Sequence, residues 1–321
     1  GVIGKARMTL SDSVRLQREI LLRSMFPSMP VAAHVRFVEL LDEVELKPGQ
    51  LVFDIGDPPN RFLFLIEGRV SMERPDAKPW EFAPIAVVGV IDAVLERPRT
   101  RNCRALEPSK FLSLRMSDWF DMLEDNAQIA RAAIRNFATQ LHGRWRQLAP
   151  RLERHSEPPP PGVPSALETY DKILALRRAA SLRSAGMQAI ASLAAVAEPV
   201  QLSRGQLLFD LGGHDENLYF VVRGSIELTA EGFRYEHQRG DVVGGAAAFC
   251  HALPAYAARA LSDALVLRIS EQDFYDQAEE HGRLTRGTLK YLVSELEQLL
   301  SLDESAAPPA RPPGRLVSSA P

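Results

Sequence analysis

Few residues in this chain stand at a spacing that does chemistry by itself. The seven histidines, His34, His142, His155, His214, His237, His251 and His281, fall at no metal-ligand interval, so no metal site is expected. Cys103 and Cys250 lie far apart and outside any Cys-x-x-Cys pair. They signal neither a zinc site nor a disulfide framework and suit a reducing, cytoplasmic setting. No Gly-rich phosphate loop, nucleophile elbow or paired catalytic motif occurs, and neither enzymatic activity nor a cofactor is expected. Arg177-Arg178-Ala179-Ala180-Ser181 has the order of a basophilic-kinase substrate or pseudosubstrate. The expected reading is plainer: a solvated basic face on a helix over 167–182.

Composition narrows the classes further. The 321 residues suffice for two ordinary domains. At 45% hydrophobic and 25% charged, the chain is not mainly disordered. Lys and Arg number 38 against 41 Asp and Glu, a net charge of −3. A non-specific nucleic-acid binder needs a surplus of cations to displace phosphate counterions, and none exists here. No apolar run reaches the roughly 18 residues that a membrane span needs. Val242–Ala258 lacks Asp, Glu, Lys and Arg but is broken by His251 and Pro254. No secretory apolar region opens the chain, and Met8 is a candidate start.

The elements that position any site come in two copies. Val44–Gly56 lies over Val200–Gly212 at an offset of 156, and the match runs on through Phe64/Phe220 and Gly68/Gly224. Over the 27 positions from Val44 to Val70, 10 are identical without a gap. Further on, Val88-Gly89 meets Val243-Gly244, and Asp118-Trp119 meets Asp273-Phe274, both at offset 155. Strands are predicted at Phe62–Ile66, Val87-Val88, Ser109–Leu114, Leu218–Val222 and Ala264–Ile269, as compact apolar runs between turn signals. Many short strands argue a barrel or jelly roll. A long helix should follow each copy. In the first copy, Leu123, Ala127, Ala130, Ile134, Phe137, Leu141, Trp145, Leu148 and Leu152 keep one face apolar. That face over 123–152 fits a homodimer contact, or a helix laid across the second copy of the same chain. Five prolines between Glu157 and Pro164 make a stiff spacer. The expected plan is a first domain at 12–154, a Pro-rich linker at 155–166, a second domain at 167–303 and a disordered Pro-rich tail at 304–321.

The order Gly49-x-x-x-Phe53-x-x-Gly56, an apolar strand to Gly68, then Val87-x-Gly89 leading to Pro98-Arg99-Thr100 resembles the cyclic-nucleotide-binding domain. That family includes catabolite-activator-type regulators and the regulatory subunits of cyclic-AMP-dependent protein kinase. The resemblance covers most of both copies and implies mainly β domains with flanking helices: two tandem jelly-roll-like β-rolls, each trailed by a long helix. It also implies a ligand such as cAMP or cGMP, held by a phosphate cassette of Gly-Glu-x-Ala and a later Arg followed by Ser, Thr or Ala. There the Arg supplies a guanidinium fork and the Glu accepts from the ribose.

In the first cassette Gly89, Arg99 and Thr100 match, while Val90 replaces the Glu and Asp92 the small residue. Loss of one hydrogen bond to a charged group costs about one to two decades of affinity. A carboxylate ~4 Å from the phosphate adds repulsion of about 4 kcal/mol at an effective dielectric near 20. Asp92 could instead pair with Arg99. In the second cassette Gly244 matches, Gly245 stands for Glu and Ala247 keeps the small position. With a one-residue-longer spacing, Ala255 takes the Arg position beside Tyr256, and Arg259 is the nearest cation that could stand in. This site reads as vestigial. A catabolite-activator-type DNA-binding helix pair does not fit the Pro-rich stretch after Leu302. The implied function is regulatory. Either the first pocket senses a ligand and moves the helix over 126–154, or both pockets are vestigial and the rolls bind protein partners.

Overall fold

The structure is a computed structural model that describes residues 18–19, 22–23, 29, 31–75, 77–148, 167–230, 233–302 and 315–316. The chain divides into two compact units, the first ending at Ala133 and the second starting at Ile134.

In the first unit a helix over Val31–Glu39 precedes the strands β1 (Asp42–Leu46), β2 (Leu51–Phe53), β3 (Arg61–Glu67), β4 (Val70–Glu73), β5 (Trp80–Phe82) and β6 (Ala86–Val88). A five-residue helix, Val90–Val94, leads to β7 (Asn102–Ala105), β8 (Ser109–Arg115) and the helix Met116–Asp125. Two antiparallel sheets form, in the orders β1-β8-β3-β6 and β2-β7-β4-β5. Leu63, Leu65 and Phe111 of one sheet and Phe53, Val70, Met72 and Cys103 of the other make the core. Phe62 and Phe64 point the other way, where Phe62 meets Trp119 and Phe64 meets Phe37 at ring centroids of 5.6 and 5.7 Å. Both faces of β3 are therefore covered, which is why its sequence is a continuous apolar run rather than an alternating one.

The second unit repeats this strand for strand. Helices Thr169–Leu176 and Met187–Val196 and a 3₁₀ turn at Ala180–Leu182 precede β9 (Glu198–Leu202), β10 (Leu207–Phe209), β11 (Asn217–Arg223), β12 (Ile226–Ala230), β13 (Phe233–His237) and β14 (Val242–Val243). The helix Gly245–Phe249, β15 (Ala257–Ala260), β16 (Ala264–Ser270) and helices Glu271–Glu280 and Gly282–Leu302 follow. The sheets run β14-β11-β16-β9 and β10-β15-β12-β13, the second extended by β17 (Arg315–Leu316). The five strands read from the sequence are all present. Gly68 and Gly224 close the same turn at φ 89° and 78°. A Cβ at either would run into a backbone carbonyl, that of Pro108 or of Asp263, so the repeat keeps glycine there.

Three expectations change. The long helix breaks at Asn126, whose φ/ψ are extended and whose side chain accepts from the Gln128 and Ile129 amides at 3.0 and 3.2 Å. Asn126 thus caps a second helix, Ala127–Leu148, and Leu123 belongs to the helix before it. The stripe for self-association is already covered: Ile134, Phe137, Leu141 and Trp145 are buried within the single chain. The helix expected over 167–182 ends at Leu176, leaving Arg177 and Arg178 in a turn. Ser181 is buried there, and its carbonyl lies 2.6 Å from where a Cβ on Gly287 would stand. A kinase cannot reach that hydroxyl. The linker 155–166, and the tail 304–321 apart from β17, lie outside the described residues.

Candidate functional site

The first cassette is built around Gly89 and Arg99. Gly89 sits at φ 72° and starts the helix Val90–Val94. A Cβ on it would stand 2.6 Å from Arg99 Nη1 and 2.9 Å from Phe53 Cζ, so only glycine admits the guanidinium here. The Arg99 loop is fixed by its backbone: its amide donates to Asp57 O and its carbonyl accepts from the Gly56 amide, both at 2.9 Å. The Arg99 side chain is only 4% exposed. Nη1 donates to the Gly89 carbonyl and Nη2 to the Arg61 carbonyl at 3.1 Å, and Cζ lies 4.3 Å from the Phe53 ring centroid. Among the described residues its Nε is buried without a partner, and the guanidinium meets no carboxylate within ion-pair distance.

Burial lowers the Arg99 pKa, against an opposing field led by Asp92. Arginine nevertheless stays charged in proteins. A buried guanidinium held by carbonyl dipoles and one aromatic face is a cation with room in its electrostatics for an anion. Cys103 beneath it has its thiol pushed up to about 12 by burial, with Arg99 opposing.

Asp92 does not pair with Arg99. Its carboxylate is 2% exposed and accepts from Arg97 Nε at 2.8 Å, from the Thr100 amide at 3.0 Å and from the Thr100 hydroxyl at 3.1 Å. Val90 is half-buried and Thr100 exposed. Gly89, Arg99, Asp92 and Thr100 therefore come together as one cluster, but the pairing within it differs from the expectation. Phe53, Arg61 and Arg97 were missed. Phe53 had left a signal, because it recurs as Phe209 in the internal repeat.

The second cassette keeps the glycine geometry and loses the cation. Gly244 stands at φ 89° at the start of the helix Gly245–Phe249, every residue of which, Ala247 included, is buried. The spacing is not longer than in the first copy. The Pro254 carbonyl accepts from Gly212 at 3.2 Å as that of Arg99 does from Gly56, and Phe209 pairs with Ala258 as Phe53 does with Cys103. Pro254, not Ala255, stands at the Arg99 position. Ala255 corresponds to Thr100 and Tyr256 to Arg101. Arg259 does not substitute either: it is exposed and donates to the Gly205 carbonyl, as Arg104 does to Gly49.

Tyr256 packs beside Phe209 instead: its ring centroid lies 5.9 Å from that of Phe209 and 5.3 Å from that of Trp145. Trp145 also meets Tyr235 edge-on at 5.6 Å. In the first unit the Arg99 guanidinium stands against Gly89 and Phe53; in the second, Gly244 is lined by the Asn217 carbonyl, Tyr219 and Phe209, and Tyr256 packs on Phe209. Further into this aromatic cluster, burial raises the Glu295 carboxyl to about 7, with His237 opposing and Asp241 adding. Among the described residues no group of three His, Cys, Asp or Glu could hold a metal ion, and no helix is long and apolar enough to cross a membrane.

Comparison with known proteins places both cassettes inside matched regions. The sequence profile of the cyclic nucleotide-binding domain matches residues 43–126 and 199–281, together more than half of the chain. A cyclic nucleotide-gated potassium channel from Mesorhizobium japonicum is 28% identical over 119 residues, which cover 37% of this chain and 33% of the channel. The chain thus spans about a third of that relative. Among solved structures, the regulatory domain of Toxoplasma gondii PKA with cAMP aligns over 92% of this chain and 98% of its own, at 14% identity and a TM-score of 0.35. The N-terminal domain of a transcriptional regulator from Streptomyces coelicolor aligns over 37% of this chain and 86% of its own, at 27% identity and a TM-score of 0.33.

Proposed function

The chain belongs to the cyclic nucleotide-binding domain family, and from that premise we propose that it is a non-enzymatic, cytoplasmic regulatory protein that senses an anionic ligand in its first roll. The ligand class is a cyclic nucleotide, cAMP or cGMP, or a related cyclic phosphate. Arg99 and Thr100 hold the anion, Gly89 makes room for it, and Val90 and Asp92 flank it. The helix Ala127–Leu148 carries the event onward to a protein partner. The observation that carries this reading is the buried Arg99 guanidinium, which among the described residues is held by carbonyls and pairs with no carboxylate. A buried cation held by carbonyl dipoles without a direct ion pair remains costly, and an anionic ligand relieves that cost. The second roll, with Gly244, Gly245, Ala247, Ala255 and Tyr256 and no cation, takes no nucleotide.

The test is a thermal-shift screen of the purified protein with cAMP and cGMP, with Arg99→Ala alongside. A ligand at 100 times its dissociation constant stabilises by about 2.7 kcal/mol, which raises Tm by several degrees. Wild type should shift and Arg99→Ala should not. Without ligand the variant should melt below wild type, because the Gly89 and Arg61 carbonyls lose their donor and a space opens over Phe53, so each protein's shift is read against its own baseline. A flat wild-type screen favours the second reading, a protein-binding scaffold with two vestigial pockets. That reading draws on Val90 in the ribose position and on the self-filled second roll.

A further inference from the structure

We propose that Asp92 is a resident anion of the first roll, a carboxylate that occupies the donors a ligand's phosphate would use and so sets the ligand concentration at which the site responds. This rests on the reading of Arg99 and Thr100 as the anion-holding pair. Both donors that Thr100 can offer, its amide and its hydroxyl, point at the Asp92 carboxylate at 3.0–3.1 Å. Neither is free for another anion until Asp92 lets go. Arg97 closes on the carboxylate from the other side at 2.8 Å, so its charge is answered without Arg99. The division is clean: the surface-facing donors go to the protein's own anion, and the buried guanidinium is left over.

The second roll supplies an internal control. Ala247 stands where Asp92 does and Ala255 where Thr100 does, so carboxylate and hydroxyl are present together in one copy and absent together in the other. Only the copy that keeps the cation keeps the lock. A ligand phosphate that reaches Arg99 must displace Asp92 from Thr100, which raises the apparent dissociation constant by the strength of those hydrogen bonds, about 10- to 100-fold for charged acceptors. The plain alternative is a staple that pins the loop after the helix Val90–Val94 and has no bearing on ligand.

Calorimetric titration of the full chain with cAMP and with cGMP separates the two. Asp92→Ala should bind at least one of them about 10- to 100-fold more tightly than wild type, and the double variant Asp92→Ala/Arg99→Ala should lose the gain. Asp92→Asn, which keeps the shape and one acceptor, should fall between. If Asp92→Ala does not fold, Asp92→Asn is the variant that decides. Unchanged or weaker binding in a folded variant overturns the proposal, as does a gain that survives loss of Arg99. Failure of both single variants to fold makes Asp92 a staple and overturns it too. An Arg99-dependent wild-type signal without a gain on losing Asp92 sinks this proposal alone. No binding of either nucleotide by wild type or by any variant sinks the sensing function with it.

Discussion

Glu295 couples the second unit to pH. Its side chain is 6% exposed, and burial raises its pKa from 4.5 to about 7, with His237 lowering it and Asp241 raising it. Because the folded pKa lies above the unfolded one, the neutral acid is the form the fold favours. Its contribution is fully present below about pH 4.5 and is lost as pH rises through 7. The ionised form costs about 3 kcal/mol. Glu295→Gln should therefore match wild type in urea unfolding near pH 5 and exceed it by about 2–3 kcal/mol at pH 8. Equal stability gaps at both pH values would refute the assignment. Arg99 and Asp92 pose the same kind of question at the other cassette. Their residue types and spacing were legible in the sequence, but their partners were not. Whether Asp92 meets Arg99 or Thr100 depends on which way a five-residue helix turns its third residue, and nothing local decides that.

At the scale of elements, the helix Ala127–Leu148 gains most of its stability from packing, as helices in proteins do. Trp145 lies between Tyr256 and Tyr235, so Trp145→Ala should destabilise the second unit by about 3–5 kcal/mol. The first unit should be unaffected. Denaturant melts followed through Trp80 and Trp119, against far-UV circular dichroism, would separate the two. The apolar stripe of this helix was visible in the sequence, but the break at Asn126 was not. A side-chain cap interrupts the backbone without disturbing the three-four spacing, so periodicity runs straight through it. The strands were easier to place because each is a local apolar run stopped by a turn residue. β3 and β11 stand out most, since layers on both faces leave them no polar alternation.

For the whole molecule, the packing boundary at Ala133/Ile134 makes a fragment test possible. A fragment of 134–302 keeps Trp145 over Tyr256, whereas one of 167–302 exposes Tyr235 and Tyr256. The longer fragment should unfold cooperatively at clearly higher urea. Equal midpoints would mean the helix adds nothing to that unit. What the sequence alone determined is the duplication, the antiparallel roll, the glycine turns and the presence of one cassette with a cation and one without. These rest on local rules: β-runs between turn signals, positive-φ glycines, and an internal repeat that reads the same in both copies. The tertiary structure alone decided what fills each cassette. Arg99 lies over Phe53 in one roll and Tyr256 lies against Phe209 in the other. That choice is made by strand register and by residues far apart in the chain, because a buried space accepts whichever side chain reaches it and satisfies its polar groups.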